Sequence, residues 1–221
     1  MSLWLTKIEL NPRNPQLART LNDPVALHRT TMRLFDDDLG AAPRQRAGVL
    51  FRLEEDRDNA RLLVQSRQRP QPEKLADRWA TGIQVKPIEG ILEHLTVDRT
   101  VHYRLVGSPV RRISKRTPSP TEDRRPGQVI PLSGDDAIQW WHRKASDAGL
   151  RVLTVEGQSQ STRSGVRRAA DGKKDRVAAT QHRFEGQAVI VDPDALRTAL
   201  VEGIGRGKSY GCGLLSLAPV R

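Results

Sequence analysis

One cysteine, Cys212, stands in the whole chain of 221 residues. With no second thiol there is neither an internal disulfide nor a cysteine zinc cluster, and the composition fits a reducing compartment. Aromatic residues make up only 4%, too few to support the extended stacking platforms that bind single-stranded nucleic acid. No apolar run approaches the about 20 residues of a membrane span. The opening SLWLTKIEL alternates like a strand, unlike a secretory leader. A cytoplasmic protein with no membrane partner is therefore expected. Acidic residues are also outnumbered: 26 Asp and Glu face 37 Lys and Arg, a net charge of +11. Such an excess makes a polyanion the first partner to consider, with a merely soluble basic protein as the bland alternative.

Metal and covalent chemistry find little footing. The five histidines, His28, His94, His102, His142 and His182, include no pair at a short ligand spacing, so a zinc site is not expected. No Ser-His-Asp or Cys-His arrangement can be argued from spacing. Asp36, Asp37 and Asp38 follow a helix end and read as a solvated turn. The context Gly-Cys-Gly makes Cys212 the start of a buried strand.

The segment GIGRGKSYGCGLL, residues 203–215, carries Gly-Lys-Ser among five glycines and invites comparison with a nucleotide-binding loop. The first glycine of a P-loop would fall at residue 202, which is Glu202, and a carboxylate there repels a triphosphate. The element order is also reversed, since a helical pattern precedes the loop and an apolar strand follows it. The dinucleotide fingerprint fails at Lys208, where its third glycine would stand. What remains is a basic, glycine-rich connection able to bring backbone amides against a phosphate, with Arg206, Lys208, Ser209 and Tyr210 adding side chains. The structural alternative is a sharp helix exit at positive φ.

The pattern of elements occurs twice. In the first half LWLTKIEL is a strand and DPVALHRTTMRLF a helix, capped by Asp23 with Pro24 at its first position. GVLFRLEE and RLLVQSR form two strands joined at Asp58 and Asn59, followed by a short helix in PEKLADRWA and a strand in TGIQVKPI. The second half reads likewise: strand RTVHYRLVGSPVRR, helix SGDDAIQWWHRKASDAG between Ser133 and Gly149, strands RVLTVEGQ and HRFEGQAVIV, helix VDPDALRTALVEG and strand GLLSLAP. Both halves give β-α-β-β-α-β, so the fold class is α+β with two tandem ferredoxin-like domains and antiparallel sheets. The N-terminal domain is set at 1–90 and the C-terminal one at 98–221, with a linker near 88–99.

Neither half shows the Gly-Phe-Gly-Phe strand that stacks RNA bases, so binding must lean on phosphates and shape. Two basic segments qualify. RRISKRTPSPTEDRR, 111–125, offers Arg111, Arg112, Lys115 and Arg116 in an extended loop broken by prolines. The longer QSQSTRSGVRRAADGKKDRVAATQHR offers Arg163, Arg167, Arg168, Lys173 and Lys174 about an Asp-Gly turn, which suggests a hairpin with two basic arms.

For catalysis His28 stands apart, because a titrating imidazole lies beside Arg29 with Arg33 four residues further along the helix. Taken with the twin halves, the basic insertion and GIGRGKSYGCGLL, the histidine in DPVALHRTTMRLF resembles the CRISPR repeat-RNA processing endoribonucleases of the CasE family, from the type I-E system. The resemblance spans essentially the whole chain. It implies metal-independent and cofactor-free cleavage of a precursor transcript at the base of each repeat hairpin, with the product crRNA retained and the protein joined to other Cascade subunits. It also implies that His28 moves a proton, as general base on the 2′-hydroxyl or general acid on the 5′-oxygen, and that the products carry 2′,3′-cyclic phosphate and 5′-hydroxyl ends. Arg29 or Arg33 would supply the electrostatic part. Some relatives place a tyrosine three residues before the histidine, and here that residue is Val25. A noncatalytic RNA-binding subunit of the same kind of ribonucleoprotein stays open as the alternative.

Overall fold

The computed structural model of the protein describes residues 2–36, 38–57, 59–76, 78–113, 127–160, 162–168 and 174–220. Period-two alternation makes the opening segment β1 (Trp4–Leu10), which buries Thr6, Ile8 and Leu10 on one face. Two helices follow, α1 (Leu17–Asn22) and α2 (Pro24–Met32). Asp23 separates them: its extended backbone stops α1, while its carboxylate accepts from Val25 N at 2.8 Å and Ala26 N at 3.1 Å to start α2. After a single turn, α3 (Pro43–Arg46), come β2 (Leu50–Glu55), β3 (Ala60–Ser66) and β4 (Ala80–Pro87), giving an antiparallel sheet in the order β2-β3-β1-β4.

The short helix α4 (Glu89–Glu93) occupies the expected linker and leads to β5 (Thr100–Gly107). A two-stranded ribbon, β6 (Val110–Arg112) with β7 (Val129–Pro131), precedes α5 (Gly134–Asp147). Next come β8 (Leu150–Val152), β9 (Glu156–Ser159), a hairpin of β10 (Arg163–Arg168) and β11 (Lys174–Ala179), then β12 (His182–Ile190), α6 (Pro193–Glu202) and β13 (Leu215–Pro219). The second sheet runs β13-β5-β12-β8, with β9 also on β12. The two sheets thus repeat one strand permutation, the split order expected of ferredoxin-like halves.

Three elements depart from the sequence expectation. The second helix of the first half shrinks to a 3₁₀ turn, Pro72–Lys74. Pro70 and Pro72 bias their predecessors away from the helical region, and Leu75 is already extended. RTVHYRLVGSPVRR splits into β5 and β6, because Pro109 has no N–H to extend a ladder. RVLTVEGQ divides into β8 and β9 at a bulge, where Leu153 N and Thr154 N both donate to Gln187 O, at 2.8 and 3.2 Å. Of the helix ends, Gly149 stops α5 at φ 72°, whereas Ser133 at its start makes no side-chain capping bond.

Each half has its own core. Ile8, Phe35, Phe51 and Val64 centre the first; Trp141, Phe184, Leu196 and Leu105 centre the second. Polar groups buried between the halves fasten them. Arg52, 2% exposed, donates through Nη1 to Leu214 O at 3.0 Å and Arg104 O at 3.3 Å, and through Nη2 to Ser216 Oγ at 3.0 Å. Gln65 Nε2 donates to Leu200 O at 2.7 Å. These bonds hold α6 and the glycine-rich loop after it against β2 and β3. Among the described residues no helix is long and apolar enough to cross a membrane.

Candidate active site

The site grows from α2. Val25, Leu27, Thr30 and Thr31 are buried on this helix, and Arg29 and Arg33 are exposed. His28 falls between the two faces and is half-buried. Its ring stacks on Phe51 of β2, with centroids 6.2 Å apart and planes at 22°. Nδ1 is buried and has no hydrogen-bond partner among the described residues. Burial, reinforced by the charges of Arg44 and Arg29, holds the imidazole pKa below its ordinary 6.5. At pH 7 the His28 imidazole is therefore neutral. His182, also lowered mainly by burial, serves the second core instead: it stacks on Phe184 at 6.2 Å and lies 3.4 Å from Ser159 Oγ.

The glycine-rich loop is brought to the same helix. Its 3₁₀ turn, Lys208–Tyr210, packs against α2 and β2. Gly203, Gly205, Gly207, Gly211 and Gly213 all have positive φ, so the loop follows a path denied to residues with a Cβ. At Gly203 a Cβ would lie 2.7 Å from Leu50 Cδ2 and 3.0 Å from Gly213 O. The helix exit and the close approach are thus one requirement. Gly213 N donates to Val106 O at 2.8 Å, and Gln181 Nε2 to Tyr210 O at 2.6 Å. Cys212 is sealed inside the loop, 1% exposed, with its thiol pushed up to about 12 by burial; it is no nucleophile.

The expected hairpin exists, and it lies across α2. β10 and β11 contact the helix, and a Cβ on Gly165 would stand 2.1 Å from Asp23 Oδ1. Arg163 pairs with Glu55 at one end of the hairpin. Arg167 pairs with Asp175 at 3.1 Å, and Tyr210 of the glycine loop adds to the stabilisation of its charge. Lys174 opens β11 and is exposed; Arg168 closes β10. Lys173 and the Asp-Gly turn lie outside the described residues.

The remaining expected sites are placed elsewhere. Arg111 and Arg112 are exposed on β6, and Lys115 and Arg116 lie outside the described residues. Arg206 is exposed at the loop tip, while Ser209 is half-buried in the turn. Lys208 folds back so that Nζ donates to Glu202 O at 2.6 Å. Asp36 is structural: its carboxylate accepts from Gln68, Gln71 and Lys74 at 2.8, 2.8 and 2.9 Å. Asp37 lies outside the described residues. Arg29 and Arg33 face a separate cavity on the outer side of α2.

One cation went unnoticed in the sequence. Arg44 of α3 acts on His28 more strongly than the adjacent Arg29, and it also lowers the pKa of Lys208, where burial is the larger cause. It donates to Val49 O at 3.0 Å. Nothing in its PRQR context marks it, because a left-handed turn at Ala42, φ 63°, and tertiary packing bring it to the site. A neutral imidazole beside two partly desolvated cations suits proton transfer next to a phosphate.

Comparison with known proteins follows the same lines. A family described as "CRISPR associated protein" matches residues 3–219. The CRISPR-associated endoribonuclease Cse3 of Thermus thermophilus is 30% identical, over 98% of this chain and all of its own length. The CRISPR system Cascade subunit CasE of Escherichia coli is 32% identical, over 90% of this chain and 93% of its own. The structure of Thermus thermophilus Cse3 bound to an RNA representing a pre-cleavage complex superimposes with a TM-score of 0.76 and 26% identity, covering 99% of this chain and 100% of that one.

Proposed function

The chain belongs to the CRISPR associated protein family, and from that premise we propose that it is an endoribonuclease that cuts CRISPR precursor RNA at the base of the repeat hairpin and keeps the product crRNA as a Cascade subunit. The observation that carries this reading is the convergence of three elements on one helix: half-buried His28, the glycine loop and the basic hairpin all meet at α2.

The proposed reaction uses the RNA's own nucleophile. Neutral His28, its Nδ1 enclosed, accepts the 2′-hydroxyl proton at Nε2. The 2′-oxygen forms a bond to phosphorus, the bond from phosphorus to the 5′-oxygen breaks, that oxygen takes up a proton from water, and the imidazolium of His28 returns its own proton to solvent. The products are a 2′,3′-cyclic phosphate and a 5′-hydroxyl. In this reading Arg44, whose charge acts on His28, and Lys208, whose turn packs on α2, offset charge developing on the phosphorane. No metal enters these steps. Val25, at the position where some relatives carry a tyrosine, is 6% exposed and apolar, which leaves His28 as the proton carrier on this helix.

The test is a labelled repeat hairpin incubated with the protein in excess EDTA, beside the same RNA with a 2′-deoxy at the cut. One cut, insensitive to EDTA and absent from the deoxy RNA, is expected. His28→Ala is expected to lose cleavage by about 10²–10⁴-fold while its RNA affinity stays unchanged. Tight binding with no cut by the wild-type protein would make it the noncatalytic subunit instead.

A further inference from the structure

Arg29 and Arg33 stand four residues apart on the outer face of α2. There they meet Arg13, from the connection after β1, and Arg78, from the turn before β4, around an open cavity of about 470 Å³. All four arginines are exposed. Among the described residues none of their guanidinium groups makes an ion pair or hydrogen bond, and no carboxylate lines the cavity. Some other arginines of this protein do find carboxylates: half-buried Arg61 with Asp56 and Arg197 with Asp194, and exposed Arg167 with Asp175. Four unpaired guanidiniums around one hollow repel each other.

The wall of this cavity is also held in an uncommon shape. Arg78 has φ +64°, in the left-handed region that a residue with a Cβ seldom occupies. Its carbonyl accepts from Asn11 Nδ2 at 2.9 Å and Asn14 Nδ2 at 3.3 Å, and Asn11 N donates to Trp79 O at 3.1 Å. Two asparagines therefore clamp the strained residue that lines the hollow.

Guanidinium forks match phosphate oxygens two at a time. Trp79, the aromatic lining residue, is only 5% exposed, so the cavity offers charge without a stacking surface. That combination suits backbone phosphates and carries no base preference. It also adjoins the reaction centre: Arg29 is the next residue to His28, and the two faces lie within the about 10–12 Å width of one helix. We infer that this four-arginine groove holds the phosphates of the single-stranded RNA that adjoins the scissile phosphate, where the strand leaves the hairpin. The inference rests on the proposed endoribonuclease reading and deepens it.

The double variant Arg13→Gln, Arg78→Gln tests the groove, since neither residue belongs to the proposed catalytic machinery. Binding would be measured by salt titration with three uncleavable 2′-deoxy RNAs: the bare hairpin, the hairpin with a 5′ single strand, and the hairpin with a 3′ single strand. The expected result is unchanged affinity for the bare hairpin and about tenfold or greater loss on a flanked RNA. There the slope of log affinity against log salt should shrink by about 1.4, at about 0.7 per single-strand phosphate contact. Arg13→Lys, Arg78→Lys should restore most of the affinity, and unchanged melting temperatures would exclude misfolding. Equal loss on all three RNAs, or no loss on any, overturns the groove. If the wild-type protein binds hairpin RNA but gains nothing from either flank, the groove fails while the endoribonuclease reading survives. If it binds no hairpin at all, that reading fails as well.

Discussion

His28 and its neighbours act in one direction. Burial and two positive charges each disfavour the imidazolium, so the folded pKa lies below 6.5. If neutral His28 takes the 2′-hydroxyl proton, single-turnover cleavage requires pH above that folded value. The rate should hold through pH 7 and decline only as pH falls below 6.5; a decline centred above 6.5 would refute the assignment. Arg44→Gln removes one of the opposing charges, so its acid limb should move to higher pH. Its plateau rate should also fall if Arg44 offsets phosphorane charge. The same shift has a stability sign. Below 6.5 the unfolded chain takes up the proton before the folded one does. The contribution of His28 to stability is thus complete above 6.5 and diminishes as pH falls towards the folded value, and melting curves of wild type and His28→Ala should converge on acidification.

Among the elements, the glycine loop and the hairpin set the site, and they respond differently to one added methyl. Gly203→Ala forces a Cβ into Leu50 at positive φ, at a cost of about 1–3 kcal/mol. For a chain of this size each kcal/mol lowers the melting temperature by about 2–4 °C. Gly165→Ala meets Asp23 instead, at 2.1 Å from Oδ1. The hairpin must lift or the α2 cap must break, so RNA affinity and cleavage should drop together; unchanged cleavage would show that the hairpin is not seated on α2 during the reaction. Much of this was legible beforehand. Asp-Pro announced α2, alternation announced β1, and Arg-rich arms around Asp-Gly announced a hairpin. Its docking on α2 was not legible, because Gly165 carries no signal of what it will touch. Nor could spacing find Arg44 and Phe51, which reach His28 only when α2 packs on its own sheet, or Gln181, which comes from the second half. Arg29 and Arg33 were visible as a pair, but helical periodicity could not say which cavity their shared face would line.

Across the whole molecule the two halves depend on each other, because α2 lies in the first and both the glycine loop and the hairpin come from the second. Arg52 concentrates that dependence. Rooted in β2, it fills the acceptors Leu214 O, Arg104 O and Ser216 Oγ of the second half while Glu54 holds its other edge at 2.8–3.0 Å. Arg52→Met conserves apolar bulk yet strands two carbonyls in a buried seam, a loss of about 1–3 kcal/mol for each acceptor that water cannot reach. If the halves fold as one cooperative unit, calorimetry should show a single transition in the wild type, displaced as a whole in the variant. Two separate transitions in the wild type would mean that the halves are held together only loosely. In that case the distance between His28 and the glycine loop would be set by the bound RNA, and Arg52→Met would slow cleavage without shifting either melt.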